Sequence, residues 1–263
     1  MPTLATFVDI INRVLPEPHA GLLSGILFGI KASISTDLYD ALVVTGTLHI
    51  AALSGMNITI LTKLFFSAFN FLLPRRISSI LTMGVIVGFV FFVGPSASII
   101  RAAIMGCITI LAGLFGRMSL ALLTWAITIA IMLCVHFQWI GETSFQLSAL
   151  ASLGMILFGR FKQDGSFITL VKNELTTTLS AQVFTIPLIL FTFGRISLMS
   201  PVTNILIGWT IPIITVLGLF VSLLGWLWLP IGQLLAWVTW VFLEWLIQAV
   251  ILTSKIPFAS IGK

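Results

Sequence analysis

ISSILTMGVIVGFVFFVGPSASIIRAAIMGCITILAGLF, residues 77–115, is the stretch whose reading decides the fold. Two apolar runs, about 77–93 and 97–115, flank the turn Gly94-Pro95-Ser96, and Arg101 is the one charge between its ends. A membrane helix needs roughly 20 mostly apolar residues, because about 1.5 Å of rise per residue must cover about 30 Å of hydrocarbon. Neither run alternates polar with apolar residues, which excludes membrane strands. Two spanning helices joined by a tight turn remain.

The same pattern extends both ways. A long apolar stretch covers about Ala41 to Leu73, interrupted by His49, Ser54, Gly55 and Asn57. Further spans are expected at about 118–139, 143–159, 175–193, 201–226 and 230–252, making roughly eight. Over 263 residues the chain is 59% apolar and 8% charged, against about 25% charged residues in a soluble domain. The bilayer is therefore its main solvent. Two short pieces, about 20–30 and 36–45, are separated by Lys31 and Ser33 and are too short to span alone. Before them, Leu4, Phe7, Val8, Ile11, Val14 and Leu15 share one helical face, with Asp9, Asn12 and Arg13 elsewhere. That is an amphipathic helix suited to the membrane interface, stopped by Pro16 and Pro18. The expected fold class is an all-α, polytopic transmembrane helical bundle with broken or re-entrant helices and an N-terminal interfacial amphipathic helix. Its expected divisions are that helix (1–18), a transmembrane domain (19–254) and a tail (255–263).

The 13 Lys and Arg against 8 Asp and Glu give a formal charge of +5. Such an excess fits a nucleic-acid partner, or loop charge that sets topology. If the spans alternate, one side receives Arg75, Arg76, Arg117, Arg160, Lys162 and Lys172, and the other Arg195, Lys255 and Lys263. Positive short loops stay in the cytoplasm, so the C-terminus is expected outside. Cys107 and Cys134 lie in apolar runs without metal-ligand spacing, as small buried hydrophobes. His19 and His136 fall near interfaces with no ligand-like partner, so neither a zinc site nor any cofactor is expected.

Polar groups in hydrocarbon are costly, and each needs a reason. Leu48–Ile60, LHIAALSGMNITI, is the richest cluster. His49, Ser54 and Asn57 cannot share one face of a straight helix, since steps of five and three residues turn by about 140° and 60°. Two readings stay open: a helix broken at Gly55 that lines a polar path, or a kinked helix whose polar groups satisfy one another. Lys63 lies about ten residues inside its helix, far for snorkelling. Arg101, a turn or so inside its own, is either an anchor at the outer interface or part of a path. Ser144, Ser148 and Ser152 recur every four residues, a spacing of close helix packing. Gln146 belongs to the same polar helix, and Gln182, Pro187 and Asn204 serve either a break or interhelical hydrogen bonds. A Ser54 nucleophile with His49 as base is disfavoured, because their spacing points them apart.

The order of these motifs resembles the ComEC-type competence protein family. HIAALSGMNITIL at 49–61 is similar to the family's H-L-L-A-x-S-G-x-H-h-x-x-L signature. GPSASIIRAAIM at 94–105 is similar to G-x-x-x-S-x-x-R-A-x-x-M, and SFQLSALASLG at 144–154 to F-Q-L-S-x-x-A-x-x-G. TIPLILFTFGRISLMSPVTNILIGWTIP at 185–212 resembles P-L-x-L-x-x-F-G-x-x-S-x-x-x-P-x-x-N and the Pro that follows. Asn57 stands where many members carry a second histidine; it keeps hydrogen bonding but does not titrate near neutral pH. Members also carry an N-terminal oligonucleotide-binding-fold domain and a C-terminal metallo-β-lactamase-like domain linked to degrading the non-transported strand. These 263 residues include neither, nor the H-x-H-x-D-H metal motif.

The resemblance implies a cytoplasmic-membrane channel that imports single-stranded DNA during natural transformation, without catalysis by this chain. Its path-lining residues are then His49, Ser54, Gly55, Asn57, Lys63, Arg101, Gln146 and Asn204. It also implies partners beyond the DNA and the lipid bilayer: an external DNA receptor, a separate metallo-β-lactamase-like nuclease and a cytoplasmic helicase-like motor, since no P-loop occurs here. The alternative is a secondary transporter of a small anionic solute, which uses broken helices with polar midplanes too.

Overall fold

A computed structural model describes residues 3–30, 34–51, 53–159, 167–256 and 259–262. Lys31, Ser33, Arg160, Lys162 and Lys263 of the loop pattern lie outside these residues. Twelve α-helices carry nearly all the regular structure among them: α1 (Leu4–Val14), α2 (His19–Phe28), α3 (Thr36–Val44), α4 (Gly55–Leu72), α5 (Arg75–Val93), α6 (Ala97–Leu114), α7 (Ala121–Val135), α8 (Thr143–Phe158), α9 (Phe167–Phe193), α10 (Ser200–Ile207), α11 (Thr210–Leu227) and α12 (Leu229–Ser254). A 3-10 turn covers Phe137–Gly141, and β1 (Arg195–Ser197) pairs antiparallel with β2 (Ser260–Gly262). Six helices among the described residues are long and apolar enough to cross a membrane: α4, α5, α6, α9 over Val171–Phe193, α11 and α12. The chain is an all-α, multi-pass membrane bundle. Large apolar side chains such as Phe71, Phe91 and Phe191 stand almost fully exposed, as they do when lipid is the solvent.

Several sequence expectations change. The run 118–139 becomes α7, of 15 residues, and the 3-10 turn; 143–159 becomes α8, of 16 residues. Each rises only about 22–24 Å, short of a full crossing by length. The run 201–226 is broken, with α10 ending at Ile207 and α11 restarting at Thr210. Side chains take the carbonyls freed there: Trp209 Nε1 donates to Leu206 O at 2.9 Å, and Thr210 Oγ1 to Ile207 O at 2.7 Å. The polar linker to Glu174 is shorter than expected, because α9 begins at Phe167 and carries Lys172 and Glu174 on a helix.

The chain divides into two compact units. Unit 1 comprises Met1–Leu53, Phe161–Leu179 and Ile189–Lys263. In it α1 buries Phe7, Ile10, Ile11 and Val14. Phe7 stacks near Phe28 of α2 and Trp226 of α11, at 6.4 and 6.5 Å between ring centroids. The apolar face of α1 is thus covered by protein. All ten residues of α2 are buried. His19, expected to stand alone, meets Glu244 of α12 instead, 225 residues away and beyond any reading of local spacing. The α11–α12 hairpin closes on glycines: a Cβ on Gly232 would fall 2.5 Å from the Gly225 Cα.

Unit 2 comprises Ser54–Arg160 and Ser180–Leu188. Here α4, α5 and α6 pack on one another, and Ala97, Met132 and Phe145 form a core joining α6, α7 and α8. Gly154 of α8 lies against the backbone carbonyl of Ser180, leaving no space for a side chain. Hydroxyls bond within their own helices: Thr62 to Ile58 O and Thr82 to Ser78 O at 2.7 Å each, Thr109 to Met105 O at 2.8 Å, and Thr128 to Thr124 O at 2.7 Å. That is how a polar side chain is accommodated on a helix in lipid.

Gly232→Val must part α11 from α12, an overpacking cost of about 1–3 kcal/mol. Thermal unfolding of the purified protein in detergent should show a midpoint lowered by several degrees. Gly88→Ala on α5, where a Cβ meets nothing within 4 Å, should leave the midpoint unchanged or slightly raised.

Candidate functional site

Residues 45–51 and 53 leave the helical path after α3, and α4 begins only at Gly55. Ser54 is its N-cap, with extended backbone (φ −112°, ψ 164°) and no side-chain capping bond. The backbone N–H of Asn57 bonds to Ser54 O at 3.1 Å, while its side chain is buried on the first turn. The helix is broken here, with α4 starting at Gly55.

Arg101 lies beside this helix start. It stands on the second turn of α6 and is buried, at 8% exposure. Its Nε donates to Ser148 Oγ on α8 at 2.9 Å, and Nη1 lies 3.5 Å from Met105 Sδ one turn along α6. A Cβ on Gly55 would sit 3.5 Å from Arg101 Nη2 and 3.3 Å from Ala102 Cβ, so the glycine lets α4 and α6 approach at this level. No carboxylate pairs with Arg101 among the described residues. The guanidinium therefore faces the positive end of the α4 dipole without a fixed counter-charge. Such a place favours an anion.

The charge balance follows the units. Unit 2 carries six of the basic residues and one acidic residue, Glu142; unit 1 carries seven of each. The whole formal excess of +5 lies in unit 2. Glu142 is exposed, as the residue that precedes α8.

The eight sequence-derived site residues divide accordingly. Ser54, Gly55, Asn57, Lys63, Arg101 and Gln146 belong to unit 2, and His49 and Asn204 to unit 1. Lys63 is exposed on α4, eight residues or about 12 Å beyond Gly55. Gln146 is engaged locally: its Nε2 donates to Ile140 O at 2.7 Å and ties the 3-10 turn to α8. His49 Nδ1 is 3.2 Å from Gly46 O within the irregular segment. Asn204 Nδ2 donates to Thr178 Oγ1 at 3.2 Å, just before the break between α10 and α11. Ser148, read from its four-residue spacing as packing, instead holds Arg101. Ser152, one turn on, accepts from Trp125 Nε1 at 3.1 Å. The usable signal for Ser148 was its place in SFQLSALASLG; nothing in the spacing ties it to an arginine 47 residues earlier.

Three of the four quoted motifs thus meet in unit 2: Gly55 of the first, Arg101 and Met105 of the second, and Ser148 of the third. The family model described as Competence protein matches residues 26–262. The ComE operon protein 3 of Bacillus subtilis (strain 168) is 26% identical over 212 residues, which are 76% of this chain and 26% of that protein. The chain thus spans about a quarter of the length of that relative. No solved structure matches. With nearly the whole chain covered by the family model, this protein belongs to the competence protein family.

Proposed function

We propose that this chain is the membrane-channel part of a DNA-uptake system, passing single-stranded DNA with no catalytic step of its own. The observation that carries this reading is the buried Arg101 guanidinium, unpaired with any carboxylate among the described residues and set beside the start of α4. Nucleic acid presents one phosphate per nucleotide, and a planar guanidinium with five donors matches phosphate oxygens. Ser148 and Met105 engage only part of that donor set. A conduit for a polyanion must hold it weakly and repeatedly, and exposed Lys63 offers a second contact about 12 Å along α4. The confinement of the positive excess to unit 2 supports the same assignment. The break between α10 and α11 has the form used by secondary transporters. Yet a Cβ on Gly208 would lie 2.6 Å from Glu174 Oε2, and a carboxylate at the break repels an anion. A small-anion transporter is accordingly the weaker reading.

Orientation belongs to the proposal: Arg75, Arg76 and Arg117 in the cytoplasm, Arg195 and Lys255 outside, in a cytoplasmic membrane. The pairing of Arg195 with Gly262 across the β1–β2 ladder supports a shared side for the last two loops. An external DNA receptor, a separate nuclease and a cytoplasmic motor are the partners this reading requires.

In a chain freed of Cys107 and Cys134, an impermeant thiol reagent applied from outside should label Lys255→Cys and spare Arg117→Cys. The reverse pattern would overturn the orientation.

Binding of a fluorescent single-stranded oligonucleotide to the protein in nanodiscs tests the site itself. A charge-assisted contact is worth about 1.5–3 kcal/mol, so Arg101→Ala should weaken binding on the order of 10–100-fold. The slope of log K against log salt should flatten by about 0.7. Arg101→Lys should keep the slope and lose part of the affinity. Lys63→Ala should add its own loss to that of Arg101→Ala. Unchanged affinity and slope in the double variant, at matched folding, would leave Arg101 as an anchor.

A further inference from the structure

Unit 1 holds a second polar pair in apolar surroundings, with no part in the site above. His19 opens α2 with its side chain 8% exposed, and its Nε2 lies 2.6 Å from Glu244 Oε2 of α12. The other carboxylate oxygen accepts from Gln248 Nε2 at 2.7 Å. Trp240, one turn earlier on α12, covers the imidazole at 5.4 Å between centroids. Glu244 stands 15 residues after Leu229 and ten before Ser254, or about 22 and 15 Å from the two ends of its helix. By length and composition α12 is able to cross a membrane, and Glu244 stands well inside it.

Packing does not require the pair, since apolar residues of similar volume serve a buried ion pair's place equally well or better. A second observation bears on what it binds. His19 Nδ1 is buried and has no hydrogen-bond partner among the described residues. An imidazole that donates Nε2–H to the Glu244 carboxylate leaves the unpartnered Nδ1 as a lone pair. That form carries a full negative charge at membrane depth. One added proton, taken from water and shared between carboxylate and imidazole, brings the pair to zero; no other bond breaks.

Among the described residues, the neighbouring elements supply no substitute cation. On α1, Asp9 and Arg13 pair with each other at 2.8 Å. Glu17 accepts from the Gly21 N–H at 3.1 Å. On α3, which packs on α12, the ionisable groups are Asp37, Tyr39 and Asp40, none of them cationic. No residue of α11 is ionisable, and Lys255 is exposed just past the end of α12.

We propose that His19 and Glu244 form a proton-binding site within the membrane-spanning part of unit 1. Its ligand is a single proton held jointly, so the titration belongs to the pair and not to either residue. Exchange runs through Glu244, whose side chain is 31% exposed and opens toward Gln248, while the imidazole is sealed behind Trp240.

Acid-minus-neutral infrared difference spectra of the whole chain in nanodiscs test this. The wild type should show one carboxyl and one imidazole component that appear together. Glu244→Gln should remove both, and His19→Gln should remove the imidazole component and displace the carboxyl one. Glu244→Asp, which keeps a titrating group, should retain both at shifted positions and covers the case in which Glu244→Gln fails to fold. Difference spectra identical to wild type in His19→Gln and Glu244→Asp, or an imidazole component that persists unshifted in either Glu244 variant, would overturn the shared site.

Discussion

Hydrocarbon offers no hydrogen bonds, so every backbone amide and carbonyl at membrane depth must find its partner within the protein. Most of this structure follows from that constraint. Where the sequence stays apolar, the helix satisfies itself, and α5 accommodates hydroxyls by bonding them back, Thr82 to Ser78 O and Ser78 to Leu73 O and Pro74 O. Where the helix stops, side chains complete the pairing. Trp209 and Thr210 close the carbonyls at the α10–α11 break, and Gln146 reaches Ile140 O beneath the 3-10 turn. The breaks are thus places where polar side chains are already committed to structure. Arg101 differs, because only part of its donor set is engaged.

The same constraint explains the division of labour between the units. Unit 1 balances its charges and buries its one membrane-depth carboxylate–histidine pair. Unit 2 gathers the uncompensated positive charge around helices whose other polar groups bond to themselves. The positive excess thus lies in unit 2, while unit 1 holds the β1–β2 ladder and the α11–α12 hairpin.

Much of this was legible in the residues. The apolar runs gave helices with boundaries within a few residues for α5, α6 and α12, because length and the lack of alternation leave a bilayer segment no other regular structure. At Gly55 a break was one of two open readings, since a polar triplet on different faces does not suit a straight helix. The break at Gly208 was only half legible: Asn204 allowed either a break or an interhelical bond, and Ile205, Leu206, Ile207 and Trp209 keep the apolar count high across it. The short α7 was overestimated for a related reason, as hydropathy runs on through His136 and the 3-10 turn, whereas α8 matches its run to within a residue. Within the site, Arg101 and Gly55 could be named individually, but Ser148 could not be joined to Arg101. A four-residue serine spacing describes one helix face and says nothing about which helix it meets.

The bond from Arg101 to Ser148 also has a consequence in time. The two residues are 47 apart in the chain, and Arg101 leaves the ribosome first. At about 5–20 residues per second, roughly 2–10 s pass before Ser148 is made. During that interval α6 carries a lone guanidinium into the lipid, a cost of about 2.5–3.5 kcal/mol at a helix centre and less near an end. Its place on the second turn keeps the charge within reach of the headgroups until α8 arrives. Biogenesis therefore fixes where along α6 a buried arginine can stand: near the end that is able to wait at the interface.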